Sequence, residues 1–83
     1  MDKTIYTREY AAVLRLLRAA REHAGVTQVD LAKMLRQSQS YVSKIERGDR
    51  RIDIVQLRTI CRTLGSSLAD FVERLEKELS KKE

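Results

Sequence analysis

Apolar residues recur along most of the chain at three- and four-residue spacing, the period of a helix with one buried face. The pattern predicts five helices. The first runs from about Thr7 to His23, with Val13, Leu14, Leu17, Ala20 and Ala24 as its inner stripe. The second starts after Thr27, with Asp30 three residues on as its capping-box partner, and turns Leu31, Ala32 and Leu35 inward. The third starts after Ser38, a favourable N-cap, buries Val42 and Ile45, and stops at Gly48. Asp53 caps the fourth, with Gln56 at the reciprocal position and Ile54, Leu57, Ile60, Cys61 and Leu64 facing inward. Ser66 or Ser67 caps the fifth, whose stripe is Leu68, Phe71, Val72, Leu75 and Leu79. Gly25, Gly48 and Gly65 fall where one pattern stops and the next begins, and there is no proline. Nowhere do β-branched residues alternate as a strand requires. An all-α fold in one domain over 1–83 is expected, ordered from about 7 to 79, with a polar tail at 80–83.

Composition narrows the class. At 83 residues with 42% hydrophobic side chains, the chain can build one small core. Cys61 is the single cysteine, which excludes an internal disulfide, and no Cys/His cluster has metal-ligand spacing. No cofactor is expected. No run of about 18 apolar residues predicts a membrane span, and Asp2 and Glu9 break any resemblance to a signal peptide. A cytoplasmic, nucleoid-associated location is the expectation. No Ser/His/Asp or Cys/His arrangement, paired-carboxylate motif or glycine-rich phosphate loop is visible, so the chain does not read as an enzyme. Cys61 reads as a packed thiol, and His23 as a charge matched to a helix C-terminus.

The net charge of +5 is unevenly placed. Residues 8–27 carry four arginines against Glu9 and Glu22, and residues 28–51 carry six cations against Asp30, Glu46 and Asp49. Residues 52–83 hold six charges of each sign. The surplus therefore lies in the front and middle of the chain, as a polyanion-binding patch would, or as an ordinary solvated surface would.

Two short helices joined by about three residues form the unit whose second helix enters the DNA major groove. Ala32 supplies the small side chain that lets the two cross closely, while Leu31, Leu35, Val42 and Ile45 lock the pair to the core. Gln39, Ser40, Ser43, Lys44 and Arg47 are left outward, and these are side-chain types suited to base edges and phosphates.

The segments Thr27-Gln28-Val29-Asp30-Leu31-Ala32 and Ser38-Gln39-Ser40-Tyr41-Val42-Ser43-Lys44-Ile45-Glu46-Arg47-Gly48 resemble the Cro/phage-repressor type of helix-turn-helix proteins, the xenobiotic-response-element family. The resemblance covers roughly Val13 to Val72. It implies a five-helix lambda-repressor-like DNA-binding domain with a central helix-turn-helix, acting on double-stranded DNA. It places Gln39, Ser40 and Lys44 at base-reading positions, with Ser43 one residue from the last. Gln28, Arg47, Arg50 and Arg51 match phosphate-contacting positions, and Arg21 and Glu46 match an ion pair fastening the first helix to the third. Tyr41 has two readings, a phosphate contact or packing at the helix junction. Arg36 departs from the glycine common in the family's turn. If it is left-handed it costs about 1 kcal/mol against glycine, recouped if it reaches a phosphate; otherwise the turn is drawn differently.

In the fifth helix, Val72, Leu75 and Leu79 continue the apolar stripe beyond what a small core needs. They read either as packing against Tyr6, Tyr10 and the first helix or as the seam of a homodimer. A regulator of transcription without a small-molecule effector is the leading expectation. The alternatives are a protein-interaction adaptor or antitoxin that uses the fifth helix on a protein partner, and a sequence-indifferent nucleic-acid binder.

Overall fold

The computed structural model describes residues 7–81, which form α1 (Arg8–His23), α2 (Gln28–Leu35), α3 (Gln39–Arg47), α4 (Ile54–Thr63) and α5 (Leu68–Ser80). Among the described residues there is no strand. No helix among them is long and apolar enough to cross a membrane.

Every helix begins on a short oxygen-bearing side chain that accepts from an otherwise unpaired backbone N–H. Thr7, Thr27, Ser38, Asp53 and Ser67 fill these positions. Ser67 is thus the cap of α5, and Ser66 instead donates through its hydroxyl to Asp70 at 3.3 Å. Full capping boxes form at Thr27/Asp30 and at Asp53/Gln56. The α2–α3 turn resolves the question at Arg36: its φ and ψ are 58° and 43°, left-handed, and it is the sole non-glycine residue with positive φ among those described. Its neighbour Gln37 donates its N–H back to the Ala32 carbonyl at 2.8 Å, so the chain reverses tightly despite the side chain.

α2 packs on α3, α1 lies across α3 and α5, and α4 closes against α2 and α5. Leu17, Leu31, Ala32, Val42, Ile45, Ile60, Cys61 and Phe71 meet in one buried cluster. Gly48 is buried at the end of α3 with φ 83°, and a Cβ there would stand 3.1 Å from Leu14 Cδ1. α1 therefore approaches this turn as closely as it does because the residue is glycine.

Two expectations about the core need correction. Ile54, expected on the inner face of α4, is 66% exposed, and Val55 is equally open. Burial along α4 rises only toward Ile60 and Cys61, so its first turn overhangs the core. In α1 the fully buried residues are Ala12, Leu17 and Arg21, while Val13 and Leu14 are half-buried and Ala24, the C-terminal cap, is exposed. Val13 still packs against the core cluster, and the buried place in the last turn goes to Arg21, which is paired with Glu46. Tyr6 lies outside the described residues. Tyr10 meets the α3–α4 loop, its hydroxyl accepting from Ile52 N–H at 3.3 Å, while α5 is tied to α1 by Arg15 and Glu78 at 2.9 Å.

Candidate nucleic-acid interface

α3 divides its side chains cleanly. Val42, Ile45 and Glu46 are buried, and Gln39, Ser40, Lys44 and Arg47 are exposed. The division follows from a helix of only 9 residues lying on the core with one face.

Glu46 is the exception that needs a physical account, since a buried carboxylate is costly unless paired and hydrogen-bonded. Its side chain is 1% exposed. Arg21 grips it in a fork, Nε to Oε2 at 2.6 Å and Nη2 to Oε1 at 3.1 Å. Arg21 Nη1 also donates to the Val26 carbonyl at 2.9 Å, which fixes the guanidinium plane to the α1–α2 connection. Gln28 Nε2 donates to Oε1 at 3.0 Å and Arg18 Nε to the same oxygen at 3.4 Å. Burial alone would push the Glu46 carboxyl up. The hydrogen bonds from Arg21 and Gln28, the Arg21 charge and the Arg18 hydrogen bond outweigh it and hold the group below the usual carboxylate range. The Glu46 hydrogen bond raises Arg21 further above its already high value, against the opposing effect of burial.

The same network reaches the outer face. Gln28, half-buried at the first position of α2, accepts through Oε1 from Gln39 Nε2 at 3.4 Å. Gln39 is thereby linked through Gln28 to the buried pair. Among the described residues, nothing bonds the side chains of Ser40 and Lys44, which project from the helix. Ser43 is half-buried and its hydroxyl accepts from Arg47 Nη1 at 3.0 Å. Arg47 Nε holds Asp49 Oδ2 at 3.0 Å, so this arginine is bracketed from both sides.

The loop after α3 carries the next cations. Arg50 lies over the Tyr41 ring, 4.9 Å from its centroid, and Arg51 lies 6.0 Å from the Tyr10 ring centroid. The Tyr41 ring packs against the core cluster while its hydroxyl accepts from Gln56 Nε2 at 3.3 Å. That leaves the hydroxyl hydrogen available to an outside acceptor. Arg36 stands exposed on its left-handed backbone at the end of α2.

Sequence reasoning missed Arg18, Asp49, Gln56 and Tyr10 as parts of this surface. Arg18 precedes Arg21 by one helical turn, a spacing that could have placed both on one face. In the sequence Asp49 offers only a loop charge and Gln56 only a capping-box partner.

The arrangement has one chemical capacity: a short helix held rigidly from beneath, with amide, hydroxyl and ammonium groups outward and guanidinium groups around its end. A helix-turn-helix family model matches residues 17–71. The chain belongs to the helix-turn-helix family. Within it the chain is of the XRE, or Cro/repressor, type. An XRE-family-like protein from Pseudomonas syringae pv. tomato is 41% identical over 92% of this chain and 93% of that one, with a TM-score of 0.83. The clp gene regulator ClgR from Corynebacterium glutamicum is 30% identical over 92% of this chain and 81% of its own, with a TM-score of 0.78. A second ClgR structure gives 32% identity, 87% and 94% coverage, and a TM-score of 0.75. No curated protein matches the chain. The motif is the DNA-binding unit of transcriptional regulators, and here it makes up the centre of the fold.

Proposed function

We propose that this DNA-binding regulator of transcription reads a specific operator by laying α3 in the major groove. Gln39, Ser40, Ser43 and Lys44 read base edges there. Gln28, Arg47, Arg50 and Arg51 hold the phosphate backbone, joined by Arg36 from the turn and by the Tyr41 hydroxyl. The observation that carries the reading is the two-sided construction of α3, whose exposed polar side has no internal use for Ser40 or Lys44. An amide bonds adenine in bidentate fashion and an ammonium favours guanine, so these types are matched to base readout. The similarity to a named gene regulator supports the same reading.

The proposed active form is a dimer joined through α5. Val72 is 41% exposed there, and Leu75 and Leu79 are half-buried. Two-fold pairing would set the recognition helices about 34 Å apart on a pseudo-palindromic site. Selection of bound duplexes from random DNA tests the operator reading. The expected result is an enriched half-site whose bases lose preference in Gln39→Ala or Lys44→Ala. No enrichment at low salt would refute it. Light scattering at micromolar protein tests the seam, and a 9.6 kDa species with and without DNA would exclude it.

A further inference from the structure

Glu46 is contacted by two arginines but needs only one. The Arg21 fork already neutralises the carboxylate with good geometry. Oε1 accepts three N–H donors, and that from Arg18 is the longest of the three at 3.4 Å. An oxygen with two lone pairs is saturated by the other two. Arg18 also differs in setting: its side chain is 52% exposed, against 10% for Arg21. An ion pair so open to solvent adds little stability. The cluster of Arg18, Arg21 and Glu46 therefore keeps one positive charge that its own carboxylate does not use.

The surplus charge has a definite place. Because Arg18 Nε and Gln28 Nε2 share one acceptor oxygen, the two nitrogens lie within two hydrogen-bond lengths of each other. Gln28 opens α2, where the helix dipole is positive, and its own oxygen holds Gln39. Nη1 and Nη2 of Arg18 bond nothing among the described residues.

We infer that Arg18 is a further DNA-backbone residue: Nε stays on Glu46 while Nη1 and Nη2 bind a phosphate beside the start of α2. The contact joins the buried anchor of α3 directly to the duplex. The inference rests on the reading that α3 enters the major groove.

Fluorescence anisotropy of a labelled duplex carrying the selected half-site, titrated with the full chain over a range of KCl, tests it. Arg18→Gln is expected to make the plot of log affinity against log salt less steep by about 0.9. The loss should be equal on unrelated duplex. Arg18→Lys should restore most of the slope, and Arg15→Gln, on the α1–α5 contact, should leave it unchanged. A role limited to neutralising Glu46 would lower the thermal midpoint without moving the slope, and that result overturns the inference. If Arg18→Gln does not fold, Arg18→Met, which keeps the apolar stem and removes the charge, takes its place: a slope less steep by about 0.9 supports the contact, and an unchanged slope overturns it. If the wild-type chain binds no duplex at any salt, the major-groove reading itself has failed.

Discussion

On its inner side α3 presents Val42, Ile45 and Glu46, all buried, and Glu46 is met by donors from Arg18, Arg21 and Gln28. On its outer side Ser40 and Lys44 are exposed and bonded to nothing among the described residues, while Gln39 has one long contact to Gln28. The inner face decides where the helix sits, and the outer face decides what it can recognise. Apart from Tyr41, whose ring packs on the core while its hydroxyl is left to an outside acceptor, the two share no side chain, so changes on one face should register in stability and changes on the other in binding. Outside α3, Gln28 and Arg18 also touch both.

The largest test of this separation is Arg21→Met, which strands a buried carboxylate. It should cost about 3–5 kcal/mol and lower the thermal midpoint by roughly 15 °C or more, as circular dichroism would record. A loss below 1 kcal/mol would mean that Arg18 and Gln28 alone hold Glu46. The same carboxylate sets an acid limit. Its folded value lies below its unfolded value, so its stabilisation is complete above the unfolded value of about 4.3. It is lost as pH falls through the lowered folded value. The stability gap between wild type and Glu46→Gln, measured by urea unfolding, should therefore narrow from pH 6 to pH 3.

Changes on the outer face should show the reverse signature. Gln39→Ala or Lys44→Ala should reduce discrimination at particular base pairs by about 1–3 kcal/mol. The unfolding free energy should stay within about 0.5 kcal/mol. Competition binding against single-base operator variants would show the first effect, and urea titration the second. Equal losses at every base would assign these residues to the backbone instead. The smallest effect is expected at Arg36→Gly, which relieves the left-handed arginine and should raise stability by about 0.5–1 kcal/mol. The same change removes a cation, so affinity for any duplex should fall as the urea midpoint rises.

The five helices and their caps were legible because their signals are local. Thr27 with Asp30, Ser38, Asp53 with Gln56, and Gly48 each satisfy or terminate a helix within a few residues of themselves. The motif was legible for the same reason, its spacing falling within one stretch of chain. What escaped depends on distant neighbours. Ile54 has the right period to be buried, yet among the described residues nothing covers it and it stays exposed. Arg18 has an ordinary helical position, and only the approach of α3, 28 residues away, brings a carboxylate to it. Asp49 reads as a loop charge until the turn at Gly48 folds it back toward Arg47. The left-handed conformation of Arg36 was posed by its place in the turn, but only the backbone decided it.

The loop beyond α3 carries a kinetic and entropic consequence. Arg50 is stacked on Tyr41, and Tyr41 is fixed by Gln56, itself locked by the Asp53 cap. Ordering a long side chain at an interface costs about 0.5–1.5 kcal/mol. Under the proposed reading, much of that freedom is already surrendered in the unbound protein, so the loop meets the phosphates preorganised. Complex formation should then need little rearrangement at this end of the helix, leaving encounter and charge steering to set its rate.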